Sequence, residues 1–181
     1  MEIRKANSRE LRLMKRLYLE AFPLSERKPF GLMKKKAGKG EMELLSVMDG
    51  SQFVGLAITV LYQDLVLLDY FAVTKESRGK SYGSEALKML LDRYKEQRMV
   101  FEIELADKGA GETDVKVRRK KFYLRNGLKE TGIHIRLFGV PMEILTEGKP
   151  ITYGEYHEIY DYIIGLTFAN RVVRLYDSCN Q

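Results

Sequence analysis

The residue types best suited to chemistry lie in one stretch, Leu68-Asp69-Tyr70-Phe71-Ala72-Val73-Thr74-Lys75-Glu76-Ser77-Arg78-Gly79-Lys80-Ser81-Tyr82-Gly83-Ser84. An apolar run leads into a segment rich in glycine, serine and cations, which in turn opens a stretch of helical period. A helix start presents unpaired N–H groups and the positive end of the helix dipole, so this order suits a bound phosphate or pyrophosphate. Gly79 and Gly83 let the backbone come close to such a ligand, and Arg78 and Lys80 add charge. The same pattern also describes an ordinary turn that holds nothing. Two nucleotide-binding classes are excluded. No G-x-G-x-x-G follows a strand, and Gly79-Lys80-Ser81 ends like a Walker loop but has Thr74 where the first glycine must stand.

Charge raises a second question. Lys and Arg number 31 against 25 Asp and Glu, a net charge of +6. Lys116, Arg118, Arg119, Lys120, Lys121, Arg125 and Lys129 crowd residues 115–129, where no acid occurs. Lys34-Lys35-Lys36 and Lys39 form another run, expected in a glycine-containing loop. A solvated face is the ordinary reading of such runs, and an anionic small molecule, nucleic acid or membrane is the functional one. No nucleic-acid fold signature or aromatic stacking pattern accompanies them, which disfavours nucleic acid as partner. Cys179 is the single cysteine, and His134 and His157 are the two histidines. An internal disulfide and a cysteine-rich zinc cluster are excluded, and no metal is expected. No apolar stretch reaches the roughly 18 residues of a membrane span, and the opening residues lack a signal-peptide pattern. The expectation is a cytoplasmic, reduced protein without a membrane partner.

These residues need elements to position them. With 181 residues and 45% apolar content, a single domain over 1–181 is expected. Residues 1–5 read as an opening strand. Asn7 and Glu10 have capping-box spacing, and Leu11, Met14, Leu17, Tyr18 and Ala21 continue a helix over 8–21 that Phe22-Pro23 ends. Residues 23–40 read as irregular, with room for one short helical piece. Asp49-Gly50 joins strands at 42–48 and 53–62, and 65–73 is a strand apolar enough for burial on both faces. A helix is expected over 82–97 with Ala86, Leu87, Leu90, Leu91 and Tyr94 inward. Residues 99–105 alternate, with Phe101, Ile103 and Leu105 opposite Glu102 and Glu104. Residues 116–124 read as a helix ended by Asn126-Gly127, followed by strands at 132–138 and 141–145. Thr152 and Glu155 open a helix with Tyr156, Ile159, Tyr160 and Ile163 on one face, within a helical extension over about 151–181. The class is α+β with a mixed sheet.

Two ordered signatures then resemble the GNAT superfamily of acyl-CoA-dependent N-acyltransferases. Arg78-Gly79-Lys80-Ser81-Tyr82-Gly83 is similar to that family's phosphate loop, Arg/Gln-x-x-Gly-x-Gly/Ala, with Ser81 in place of its first glycine. Lys121-Phe122-Tyr123-Leu124-Arg125-Asn126-Gly127-Leu128 resembles its Phe/Leu-Tyr-x-x-x-Gly-Phe, with Leu128 for the last Phe. Lys116 and Arg119 stand where the family often has Asn and Ala. The likeness covers about residues 42–145. It implies a three-layer α/β arrangement: a mostly antiparallel central sheet, helices on both faces and a splayed strand pair for the cofactor.

The resemblance also implies the reaction. A primary amine attacks the thioester of acetyl-CoA directly in a ternary complex, with no metal and no covalent enzyme intermediate. Phe71, Ala72, Val73, Arg78, Gly79, Lys80, Ser81, Tyr82, Gly83 and Ser84 would bind the cofactor. Tyr123 matches the family's general acid, since a phenol of pKa about 10 can protonate a thiolate whose acid has a pKa of about 8.5. As a helix tyrosine it could equally be a core residue. Glu102 and Glu104 share a strand face and are candidates to attract or deprotonate the amine, with a solvated face as the plain alternative. Asp69 is a third carboxylate. Glu26 and Arg27 lie where the family builds acceptor-site walls. Cys179 lacks the partners of a nucleophile. The acceptor is a small-molecule or peptide amine whose identity stays open, as does acyl-chain preference. Exposed tyrosines among Tyr153, Tyr156, Tyr160 and Tyr162 would suit a homodimer surface, although packing is their commoner role. The competing functions are a catalytically silent acyl-CoA sensor and a basic nucleic-acid-binding protein.

Overall fold

The computed structural model describes residues 1–165, Ala169 and residues 171–175. They form two compact units, Met1–Gln97 and Arg98–Gln181.

The first unit runs β1 (Glu2–Lys5), α1 (Ser8–Ala21), a 3₁₀ turn (Leu24–Glu26), α2 (Phe30–Gly38), β2 (Met42–Asp49), β3 (Gln52–Tyr62), β4 (Leu65–Val73), a second 3₁₀ turn (Lys75–Ser77) and α3 (Tyr82–Arg93). Its strands lie in sequence order and every pairing is antiparallel. α1 starts on the expected capping box, with the Asn7 side chain accepting from the Arg9 and Glu10 N–H groups and Glu10 accepting from the Asn7 N–H. Such a cap is worth about 1 kcal/mol. Strand alternation puts Glu43 and Ser46 on opposite faces of β2. Ser46 donates to Glu10 of α1 at 2.7 Å, while Glu43 accepts from Arg93 of α3 and from Tyr94 just after it. α1 and α3 therefore cover opposite faces, which is why β2 and β3 are buried almost throughout.

The second unit runs β5 (Arg98–Glu104), α4 (Val115–Arg125), β6 (Lys129–Leu137), β7 (Val140–Thr146), α5 (Tyr153–Ile164) and β8 (Val172–Leu175). Its strand order is β5-β7-β6-β8, again antiparallel. Alternation separates Phe101 from Glu102: the Phe101 ring meets Tyr123 of α4 at 5.7 Å, and Glu102 meets Tyr156 and Tyr160 of α5. The Thr152–Glu155 capping box opens α5, and Gly127 at φ +93° follows α4.

Three expectations need correction. The run Lys34-Lys35-Lys36 lies on a helix, α2, rather than in a loop, with Lys39 as its C-cap: Phe30 and Met33 bury the inner side, Lys34 and Lys35 are exposed, and Lys36 pairs with Glu41. The expected helical extension also contains a strand. Val172-Val173-Arg174-Leu175 pairs with β6 as β8, in keeping with its β-branched start. α3 ends at Arg93 instead of 97, and Tyr94 packs in the core as a turn residue.

Candidate active site

In the first unit β4 delivers the chain to the start of α3. Ile58 pairs with Tyr70 but Thr59 with Leu68, so Asp69 is the extra residue of a β-bulge. Bulges re-aim side chains and increase twist. Beyond it, Phe71, Ala72 and Val73 are half-buried and still paired with β3. Thr74 ties the strand end down, its N–H donating to Val54 and its hydroxyl to the buried Ser77.

The turn that follows leaves donors unused. Among the described residues, none of the backbone N–H groups of residues 79–84 has an acceptor in hydrogen-bonding geometry. Gly79 (φ +73°) and Ser81 (φ +62°) both take left-handed backbone conformations, the kind of backbone with which successive N–H groups form anion-binding nests. Arg78 and Lys80 are exposed and make no ion pair among the described residues, whereas Lys75 pairs with Glu20 at 2.8 Å. Tyr82 anchors the helix start, donating to Asp49 at 2.6 Å and packing on Val47, Val54 and Ala86. Consecutive free N–H groups at a helix N-terminus with two unpaired cations fit a pyrophosphate. Ser84 completes the first turn of α3.

The bulged Asp69 enters a second cluster of the same unit. Lys28 donates to its Oδ1 at 2.5 Å, and its Oδ2 is buried without a partner. The Tyr18 hydroxyl donates to the Lys28 carbonyl, and the Lys28 N–H donates to the Tyr70 hydroxyl, fixing that lysine's backbone. Tyr70 in turn donates to the Glu26 carbonyl at 2.7 Å, and Arg27 donates to Phe22. Burial raises the Tyr70 phenol far above its ordinary pKa, with the Asp69 charge adding to the effect. Glu26 thus contributes its backbone here. Nothing in the sequence singled out Lys28.

In the second unit Tyr123 lies on α4 with 9% of its surface exposed. Burial pushes its phenol up to about 12, against a smaller lowering by Arg119. Among the described residues its hydroxyl has no hydrogen-bond partner. It therefore stays protonated at neutral pH with its donor uncommitted. Glu104 pairs with Arg119 at 3.1 Å and Lys116 at 3.9 Å. Those cations stand at the two positions where the resembled signature often has Asn and Ala, so these departures supply counter-charges to Glu104. Glu102 accepts from the Tyr156 hydroxyl at 2.7 Å and the Tyr160 hydroxyl at 2.7 and 2.8 Å. Strand alternation predicted its face; the tyrosine spacing on α5 could have predicted these partners. Tyr156 and Tyr160 are core residues, and Tyr162 is 43% exposed. Cys179 lies outside the described residues. Among the described residues no group of acids, histidines or cysteines could hold a metal, and no helix is long and apolar enough to cross a membrane.

A model of the acetyltransferase (GNAT) family matches residues 11–128. No curated protein matches the sequence. Among solved structures, a GNAT-family protein from Bacteroides thetaiotaomicron is 17% identical, with 93% of this chain and 99% of that chain covered at a TM-score of 0.74. A ribosomal-protein-alanine N-acetyltransferase from Brucella melitensis is 18% identical, covering 83% and 100% at a TM-score of 0.59. An aminoglycoside 6'-N-acetyltransferase complexed with coenzyme A is 16% identical, covering 84% and 100% at a TM-score of 0.58. At these identities the structures share the fold.

Proposed function

The chain belongs to the acetyltransferase (GNAT) family, and on that premise we propose that it transfers an acetyl group from acetyl-CoA to a primary amine by direct attack in a ternary complex. The observation that carries the reading is the row of unpartnered N–H groups at 79–84 beside Arg78 and Lys80. Acetyl-CoA supplies a thioester carbonyl. Residues 78–84 hold its pyrophosphate, and the backbone of Phe71, Ala72 and Val73 binds its pantetheine arm. Tyr123 holds the proton that the departing thiolate receives: its phenol is buried, protonated and free to donate. Glu104, which pairs with Lys116 and Arg119, attracts the incoming ammonium and takes the proton it must lose before attack, and Glu102, two residues earlier on the strand, is held by its two tyrosines. The acceptor class is a small-molecule or peptide amine.

One observation favours a second assignment of the base. Asp69 has a buried oxygen without a partner, a feature that a native structure rarely leaves unexplained. Thiol release from acetyl-CoA across a panel of amines tests the function itself, with Glu104→Gln and Asp69→Asn run beside the wild type. Turnover with at least one amine is expected, and its loss in one carboxamide variant identifies the base. CoA binding without turnover of any amine would leave a silent sensor in place of the enzyme.

A further inference from the structure

We propose that Lys28 is an acetylation site of the chain itself: its ε-amino group, held on Asp69, takes the acetyl group of bound acetyl-CoA when no external amine is present. The inference rests on the acetyl transfer proposed above and adds an internal acceptor to it. In that reading the pyrophosphate sits at residues 78–84 and the pantetheine arm runs back along Val73, Ala72 and Phe71. The thioester end of the arm therefore arrives beyond Phe71, at the bulge where Asp69 interrupts the pairing of β4 with β3. Asp69 carries Lys28 at this point. The ammonium donates to Oδ1 at 2.5 Å, and the two side chains are 19% and 4% exposed.

Lys28 is fixed at its backbone as well as at its tip. Its N–H donates to the Tyr70 hydroxyl at 3.1 Å, its carbonyl accepts from the Tyr18 hydroxyl at 3.0 Å, and its ammonium lies 5.5 Å from the Tyr70 ring centroid. An amine held this way avoids the entropy cost of bringing a second molecule to the thioester. Other lysines of the unit are placed differently. Lys34 and Lys35 are exposed on α2, and Lys75, on the phosphate side of the strand, pairs with the exposed Glu20. An ammonium cannot attack a carbonyl, so one proton passes from Lys28 Nζ to Asp69, whose Oδ2 is buried without a partner. The N–C bond then forms at the thioester carbonyl and the C–S bond breaks. A second proton leaves the nitrogen and ends on the CoA thiolate, and Asp69 returns the first to solvent. The product amide is neutral, so the ion pair with Asp69 is lost.

Peptide mass spectrometry of the full chain incubated with acetyl-CoA and no amine tests this. Lys28 should gain acetyl about tenfold faster than Lys34 and Lys35, or more, at a rate per molecule independent of protein concentration. Excess CoA should suppress the label at Lys28, because it fills the same site, and leave that at Lys34 unchanged. Acetyl phosphate, which lacks the arm, should show no preference for Lys28. Asp69→Asn should slow labelling of Lys28 by about tenfold or more, with melting temperature recorded beside it. Calorimetry with CoA and thiol release with the amine panel, run in parallel, report on acetyl transfer itself. Turnover of an amine with Lys28 labelled no faster than Lys34, or with a Lys28 label that excess CoA does not suppress, overturns the proposal and leaves the enzyme standing. Failure to bind CoA overturns both.

Discussion

Two residues of the candidate site, Tyr123 and Ser81, each contradict a local preference. Tyr123 is a phenol that a folded protein ordinarily buries with a partner, yet its hydroxyl has none among the described residues. Tyr123→Phe removes only that hydroxyl, so melting temperature and CoA affinity should hold. Turnover should fall about 10²- to 10⁴-fold, in kcat, because the bond to sulfur strengthens as charge develops there. Unchanged turnover in that variant assigns the proton to water or another group. A large drop in melting temperature would instead make Tyr123 a packing residue. Ser81 is the other case, a non-glycine residue at φ +62°. The left-handed conformation costs a side-chain-bearing residue about 1–2 kcal/mol, part of which glycine gives back as unfolded-chain entropy. Ser81→Gly should therefore raise stability by up to about 1 kcal/mol in urea titration and leave CoA affinity unchanged or tighter. Weaker binding would mean that the hydroxyl itself contacts the ligand.

At the scale of elements, the proposed cofactor site rests on the start of α3. Its first N–H groups are unused because no side chain caps the helix, in contrast to α1 and α5, which carry complete capping boxes. Gly83→Val places a branched side chain where backbone must approach phosphate, and CoA binding measured by calorimetry should be lost. A tightly binding variant would move the cradle elsewhere. Much of this was legible in the sequence, because caps, period and turn residues are local: Asn7 with Glu10, Thr152 with Glu155 and Asn126-Gly127 all mark the ends they were read to mark. What escaped depended on distant partners. α2 looked irregular because its lysines mask the two buried residues that anchor it. β8 needed β6 to become a strand. The Asp69 bulge is a matter of register, and its lysine lies 41 positions away. In the candidate site, the loop and Tyr123 came from contiguous signatures, whereas the partners of Glu102 and Glu104 came from tertiary contacts.

At the scale of the whole molecule, buried phenols link both units to pH. Burial raises Tyr18, Tyr70 and Tyr94 in the first unit, Tyr94 to about 12 with its hydrogen bond to Glu43 adding to the effect, and Tyr123 in the second, also to about 12. An unfolded tyrosine ionises near pH 10. Between pH 10 and 12 the unfolded chain therefore sheds protons that the native chain keeps, and the unfolded state binds fewer. Stability must then fall as pH rises, having been fully present below about pH 10. Tyr94 and Tyr123 each contribute on the order of 2 to 3 kcal/mol to that fall. Urea midpoints measured at pH 8, 10 and 11.5 should be flat over the first interval and drop over the second. Phenolate absorbance should lag behind that of the denatured chain until unfolding releases the remaining tyrosines together. Lysine deprotonation weakens ion pairs over part of the same range, so Tyr94→Phe supplies the control. That variant keeps the ring but has no proton to lose, and its midpoint should depend less steeply on pH above 10. An equally steep dependence would place the alkaline sensitivity in the ion pairs instead.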